Sequence, residues 1–158
     1  MLVLDPANRV EEVVETPDSA VMIVRVSLPG GAAGRRIYLF RPAAGTGDSA
    51  LTPLLDSPDF NQVSPALSPD GRQVVFVADG DGASRLWLRS LAATTAQPLA
   101  GTEGAQFPFW SPDSRYLAFI AGGKLKKVQV SGGPAVVLCD APTGSDGSWG
   151  SGDVILYD

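Results

Sequence analysis

Short apolar runs recur along this chain, cut by turns rich in proline, aspartate and glycine. Val21-Met22-Ile23-Val24, Val74-Val75-Phe76-Val77, Tyr116-Leu117-Ala118-Phe119-Ile120 and Val154-Ile155-Leu156-Tyr157 are continuous rather than alternating. A strand reads that way when both of its faces are covered. A second kind of run follows each of the first three: Arg36-Ile37-Tyr38-Leu39-Phe40-Arg41, Arg85-Leu86-Trp87-Leu88-Arg89 and Lys124-Leu125-Lys126-Lys127-Val128-Gln129-Val130. Here Leu86 and Leu88 alternate with Arg85, Trp87 and Arg89, which predicts a polar phase and makes Trp87 a candidate exposed contact. A third, shorter kind closes each unit: Pro53-Leu54-Leu55, Pro98-Leu99-Ala100 and Val136-Val137-Leu138. Its brevity suits an outer edge strand. No segment carries a helical period.

The punctuation repeats as well. Pro17-Asp18-Ser19, Pro69-Asp70-Gly71 and Pro112-Asp113-Ser114 are spaced 52 and 43 residues apart, and Gly150-Ser151-Gly152 is a degraded fourth copy. In Ser68-Pro69-Asp70-Gly71 the proline presets φ and the glycine closes a type I turn. Ala66-Leu67, Phe109-Trp110 and Ser148-Trp149 precede these turns. Four short strands recurring every forty to fifty residues or so are the pattern of a propeller blade. The fold expected is all-β: a β-propeller segment of stacked four-stranded antiparallel blades, about three full blades with partial blades at both ends. The units fall near residues 10–55, 63–100 and 107–139, with partial-blade strands at 1–5 and 147–158.

Val3-Leu4-Asp5-Pro6 resembles Leu54-Leu55-Asp56-Ser57-Pro58 and Leu138-Cys139-Asp140-Ala141-Pro142. The chain is therefore expected to open on the last strand of a preceding blade and to stop after the first two strands of another. Three arrangements would cover the sheet faces this leaves bare. The chain is a segment of a longer propeller; or two chains self-associate into a ring of about seven blades; or the first strand pairs with the last two in a small ring.

Composition changes the picture mainly by exclusion. Glycine (18) and proline (13) are abundant, as many turns require, yet 44% of residues are hydrophobic, too many for a disordered linker. There is no histidine and one cysteine, so no Ser-His or Cys-His pair, histidine-bound metal, intrachain disulfide or CxxC site can form within this sequence. Seventeen acidic against twelve basic residues argue against a nucleic-acid partner. Of the one dense basic group, Lys124, Lys126 and Lys127, the first two alternate with Leu125 and read as the solvated side of a strand. No apolar run is long enough to insert in a membrane, and Met1-Leu2-Val3-Leu4-Asp5-Pro6 lacks the basic start of a secretory signal.

The candidate chemistry is sparse. Asp18, Asp70 and Asp113 read as turn formers. Asp79-Gly80-Asp81-Gly82 matches part of a calcium loop but lacks the later ligands, and reads as a hairpin tip. Cys139 follows an apolar run with no neighbour to activate it. Trp110 and Trp149 hold one slot in successive units and read as packing between blades. Gly30-Gly31-Ala32-Ala33-Gly34 lacks what a phosphate loop needs. No cofactor or metal is expected. In a propeller, the connections from the last strand of one blade to the first of the next open at one mouth of the central channel. They are Asp56 to Ser64, Gly101 to Gln106 and Ala141 to Gly147. Phe60, Asn61, Gln106, Phe107 and Asp146 lie in or beside them and are the candidate binding residues, suited to a peptide or protein.

The turn wording resembles the TolB-like, PD-type β-propeller repeats related to WD repeats. The resemblance is closest in Phe109-Trp110-Ser111-Pro112-Asp113-Ser114-Arg115, Ala121-Gly122-Gly123-Lys124-Leu125-Lys126, Ser131-Gly132-Gly133-Pro134, Leu138-Cys139-Asp140-Ala141-Pro142 and Gly147-Ser148-Trp149. These look like the propeller region behind the catalytic domain of bacterial serine/threonine protein kinases. The match is good over residues 60–158 and loose over 1–60. It implies a non-catalytic interaction or sensing module outside the cytoplasmic membrane. It brings no kinase activity, since no His-Arg-Asp or Asp-Phe-Gly is present. The same repeats serve as accessory propellers of prolyl-peptidase-type hydrolases and as standalone TolB-like partner-binding proteins of the envelope.

Overall fold

The structure, a computed structural model, describes residues 9–15, 21–27, 34–42, 50–55, 60–79 and 82–158. Fourteen strands and no helix occur among them. β1 (Arg9–Glu15), β2 (Met22–Ser27), β3 (Arg35–Arg41) and β4 (Ala50–Pro53) form one antiparallel sheet in chain order. β5 (Asn61–Leu67), β6 (Gln73–Asp79), β7 (Arg85–Ser90) and β8 (Gln97–Pro98) form the second. β9 (Gln106–Trp110), β10 (Tyr116–Ala121), β11 (Lys124–Gln129) and β12 (Val136–Asp140) form the third, and β13 (Gly147–Trp149) pairs with β14 (Ile155–Tyr157) alone. These are propeller blades. The first strands β5, β9 and β13 run beside one another, β5 against β9 and β9 against β13. The strand expected at Val3–Asp5, the Asp18 turn, the Gly30–Ala33 stretch and the tip residues Gly80 and Asp81 lie outside the described residues.

The continuous apolar runs are explained by two-sided burial. On β6, Val74, Phe76 and Ala78 point to the first sheet and join Ile23, Ile37, Leu39 and Leu54. Val75 and Val77 point the other way and join Leu86, Trp110, Leu117, Phe119 and Val128. On β10 the alternate residues Ala118 and Ile120 join Leu125 and Phe109 in a third cluster, which Trp149 and Ile155 of the half-blade cover. Phe76 and Phe119, both fully buried, each contribute about 1.5–3 kcal/mol.

The same two-sidedness corrects the expected polar phase of β7. Trp87 is half-buried against the first sheet, its ring edge-on to Phe60 at 5.7 Å between centroids. Arg89 is only 4% exposed. Its guanidinium donates to the carbonyls of Pro53 (2.5 Å) and Leu54 (3.2 Å) in the neighbouring blade and to that of Ala93 (3.1 Å). Alternation on β7 divides two buried interfaces, not core from solvent. Burial first, then the charge of Arg41, pulls the Arg89 pKa below its ordinary value. On β11, Lys124 is exposed and pairs with Asp140, but Lys126 and Lys127 are half-buried, and the Lys127 ammonium lies 5.4 Å from the centre of the Tyr116 ring.

Candidate binding surface

The turns between the first and second strands of the second and third blades are built alike. Ser68 Oγ donates to Asp70 Oδ1 at 2.6 Å and accepts from Gln73 N, while Asp70 Oδ1 accepts from Arg72 N. Ser111, Asp113, Arg115 and Tyr116 repeat the set. The serine hydrogen bond, with help from backbone N–H groups, holds both carboxyls below the usual carboxylate range. Asp70 and Asp113 are thus turn residues, each with its Oδ1 engaged within its own turn. The two turns also touch, Asp70 N donating to Ser114 Oγ at 3.2 Å.

The opposite end of the blades carries the connections into β5, β9 and β13. Two buried polar side chains, neither singled out in the sequence, fix their backbone. Gln62 is fully buried; its Nε2 donates to Leu55 O and its Oε1 accepts from Ile37 N. Thr102, also fully buried, donates to Leu99 O at 2.6 Å and accepts from Leu86 N at 3.0 Å. Ile37 and Leu86 hold the same place on the third strands of successive blades, so an amide and a hydroxyl do one job by different means. Only the recurrence of that one slot joins them, because they lie at different offsets from their turns. Gly104 N then donates to Ser84 O and Ala105 N to Thr102 O, which closes the loop onto its own blade.

The five candidate residues sit at the leading ends of these inner strands. Phe60 is half-buried against Trp87, and Asn61 opens β5 opposite Asp79. Gln106 opens β9 and is exposed. Phe107 follows it at a bulge, with φ of 50°, and packs on the third apolar cluster. Ser64 has the same bulge position on β5, with φ of 51°. Left-handed backbone at a phenylalanine is unusual, and here it is repeated by the architecture. Asp146 is exposed; its Oδ1 accepts from Gly147 N, and Asp158 Oδ1 accepts from its N–H. The fold thus brings the five to the same end of their blades, along one rim. The two phenylalanine rings are largely spent on packing, and the outward chemistry is that of Gln106 and Asp146.

Cys139 is half-buried in the third cluster, and its Sγ donates to the Tyr157 hydroxyl at 3.2 Å. The Tyr157 hydroxyl in turn donates to the Asp140 carbonyl at 3.3 Å. Among the described residues no group of acids and cysteine is arranged to hold a metal ion, and no helix is long and apolar enough to cross a membrane.

The lipoprotein LpqB β-propeller domain matches residues 38–148, more than half of the chain. The chain belongs to that family. Solved structures agree on the fold. TolB from Acinetobacter baumannii superposes with a TM-score of 0.68 at 18% identity, over 95% of this chain and 37% of that one. A TolB protein from Agrobacterium tumefaciens gives 0.70 at 21% identity, over 90% of this chain and 51% of that one. The β-propeller domain of the Trilobed protease from Pyrococcus furiosus, described as having an open velcro topology, gives 0.62 at 13% identity, over 90% and 45%. The chain therefore spans between 37% and 51% of the length of these structures. No curated protein sequence matches it significantly. What the comparisons carry is a TolB-like β-propeller module.

Proposed function

We propose that this module binds a peptide or protein segment across the rim formed by the leading ends of β5, β9 and β13, without catalysis of its own. The supporting observation is the pinning of that rim. Gln62 and Thr102, each fully buried, tie the connections to the third strand of the preceding blade, so Gln106 and its neighbours are presented from fixed backbone. Preformed backbone lowers the ordering cost of binding. The family description, a lipoprotein propeller, favours a site of action in the cell envelope, outside the cytoplasmic membrane. The turn wording from Phe109 to Trp149 favours a larger serine/threonine kinase-like signalling protein as the parent. The likeness to the Trilobed protease propeller favours an alternative, an accessory propeller of a prolyl-peptidase-type hydrolase.

An array of extended peptides probed with the purified chain tests the rim. Binders should weaken at least tenfold with the Gln106→Ala, Asp146→Ala double variant and be unaffected by Asp113→Asn at the opposite end. Binders indifferent to the rim pair would move the site elsewhere. Peptide cleavage or phosphate transfer by the purified chain would refute the non-catalytic reading.

A further inference from the structure

The outer strands of the three four-stranded sheets hold matching places and differ in chemistry. In the first two blades the anchoring is alike, Leu54 N donating to Ile37 O and Leu99 N to Leu86 O. A proline precedes each anchor, Pro53 paired with Tyr38 and Pro98 with Trp87. Along a strand, successive residues turn their backbone groups to opposite sides, so both prolines stand where an N–H would point away from the sheet. A missing donor there blunts a free edge. On β12 the matching residue is Val137, paired with Lys126. Lys126 corresponds to Trp87, since Trp87 pairs with Phe76 and Lys126 with Phe119. β12 therefore carries an outward N–H where its two counterparts have none. An extra residue, Leu138, bulges between Val137 and Cys139 and sets where the regular edge stops.

The side chains change along with the backbone. Val136 and Val137 are 51% and 49% exposed, in the places that Gln97 and Pro98 take on β8. The lysines paired with them, Lys127 and Lys126, are half-buried, and neither forms an ion pair among the described residues. Lys124 alone spends its charge, on Asp140. Phe119, the partner of Lys126, packs toward the second blade, so Val137 and Lys126 lie on the side that faces a blade with all four strands. The exposure of Val137 owes nothing to the two-stranded sheet on the other side.

We infer that the outer edge of β12 accepts an extended segment of a partner protein as a fifth strand, one whose acidic side chains meet Lys126 and Lys127. The Val137 N–H supplies backbone pairing, the two valines supply apolar contact, and the lysines select acids over bases. Charge favours this occupant over a second copy. Two β12 edges paired with each other would bring like lysines toward one another, in a chain that already carries a net charge of −5.

The probe is a short peptide of alternating valine and glutamate, titrated into the 158-residue chain and followed by nuclear magnetic resonance. It should bind saturably and slow hydrogen exchange at the Val137 amide. The same peptide with lysine in place of glutamate should bind at least about tenfold more weakly. Val137→Pro restores the residue of the other two edges. It should keep the wild-type circular dichroism and lose affinity at least about tenfold. Lys126→Gln should weaken binding and flatten its dependence on salt. Absence of saturable binding, equal binding of the lysine peptide, or full affinity in Val137→Pro overturns the inference. So does a free chain that dimerises and is made monomeric by Val137→Pro, which gives the edge to a second copy. Affinity lost in the Gln106→Ala, Asp146→Ala variant would hand the peptide to the rim and overturn it as well.

Discussion

The indole N–H of Trp110 donates to the carbonyl of Ala66, 2.9 Å away in the preceding blade. Trp110 is itself 6% exposed, so one side chain both fills the interface and latches the two inner strands. Trp149 holds the same slot one blade on, yet its buried Nε1 has no partner among the described residues. Trp110→Ala should destabilise the chain by about 3–5 kcal/mol. Trp110→Phe, which keeps most of the ring and loses the latch, should cost about 1 kcal/mol for the lost bond, with any loss of ring packing added. Urea unfolding followed by far-ultraviolet circular dichroism separates them, and a near-neutral alanine variant would remove Trp110 from the interface.

Arg89 joins the first and second blades through the carbonyls of Pro53 and Leu54. Arg89→Ala leaves both acceptors without their charged donor and should cost at least about 1.5–3 kcal/mol. Arg72→Ala, at an exposed turn position, is the control and should stay within about 0.5 kcal/mol of wild type. Equal effects in urea titrations would show that the Arg89 contacts contribute nothing specific.

Gly147 lies against Phe109, and a Cβ built there would come within 2.3 Å of the ring. Gly147→Ala should therefore force the Phe109 ring aside and destabilise the half-blade by about 1–3 kcal/mol. Protection of the β13 and β14 amides in hydrogen exchange should fall before that of β6. An alanine variant with wild-type protection would mean the two strands sit farther apart than described.

The turn carboxyls predict an acid limb. Asp70 and Asp113 have folded pKa values lowered chiefly by Ser68 and Ser111, against about 3.9 for an aspartate in an unfolded chain. Between the folded and unfolded values the unfolded chain binds more protons, so stability rises with pH there. The contribution is whole above about pH 4 and is lost as pH falls through the lower folded values. The double variant Asp70→Asn, Asp113→Asn should differ most from wild type at neutral pH and converge with it in acid. Parallel curves of urea midpoint against pH would show the carboxylates to be bystanders.

Much of the architecture is local and so was legible. Ser68-Pro69-Asp70-Gly71 and Ser111-Pro112-Asp113-Ser114 build their turns from their own side chains, with left-handed backbone at Gly71 (φ 69°) and Ser114 (φ 59°). The continuous run at 74–77 reports two-sided burial whatever packs against it. The role of Trp87 and Arg89 was not legible, because a polar phase facing solvent and one facing another blade have the same alternation. The pins Gln62 and Thr102 were missed for a related reason. A buried amide or hydroxyl is recognised by its partners, and Ile37 lies 25 residues from Gln62.

By itself, then, the sequence determined the strands, their turns and the stacking of blades, since period, proline and apolar continuity act within a few residues. Only the tertiary structure decided which arginine would be buried, which tryptophan would latch and which side chains of the rim would remain outside. Those outcomes depend on the neighbouring blade, whose carbonyls and rings arrive from distant parts of the chain and set the desolvation each side chain meets.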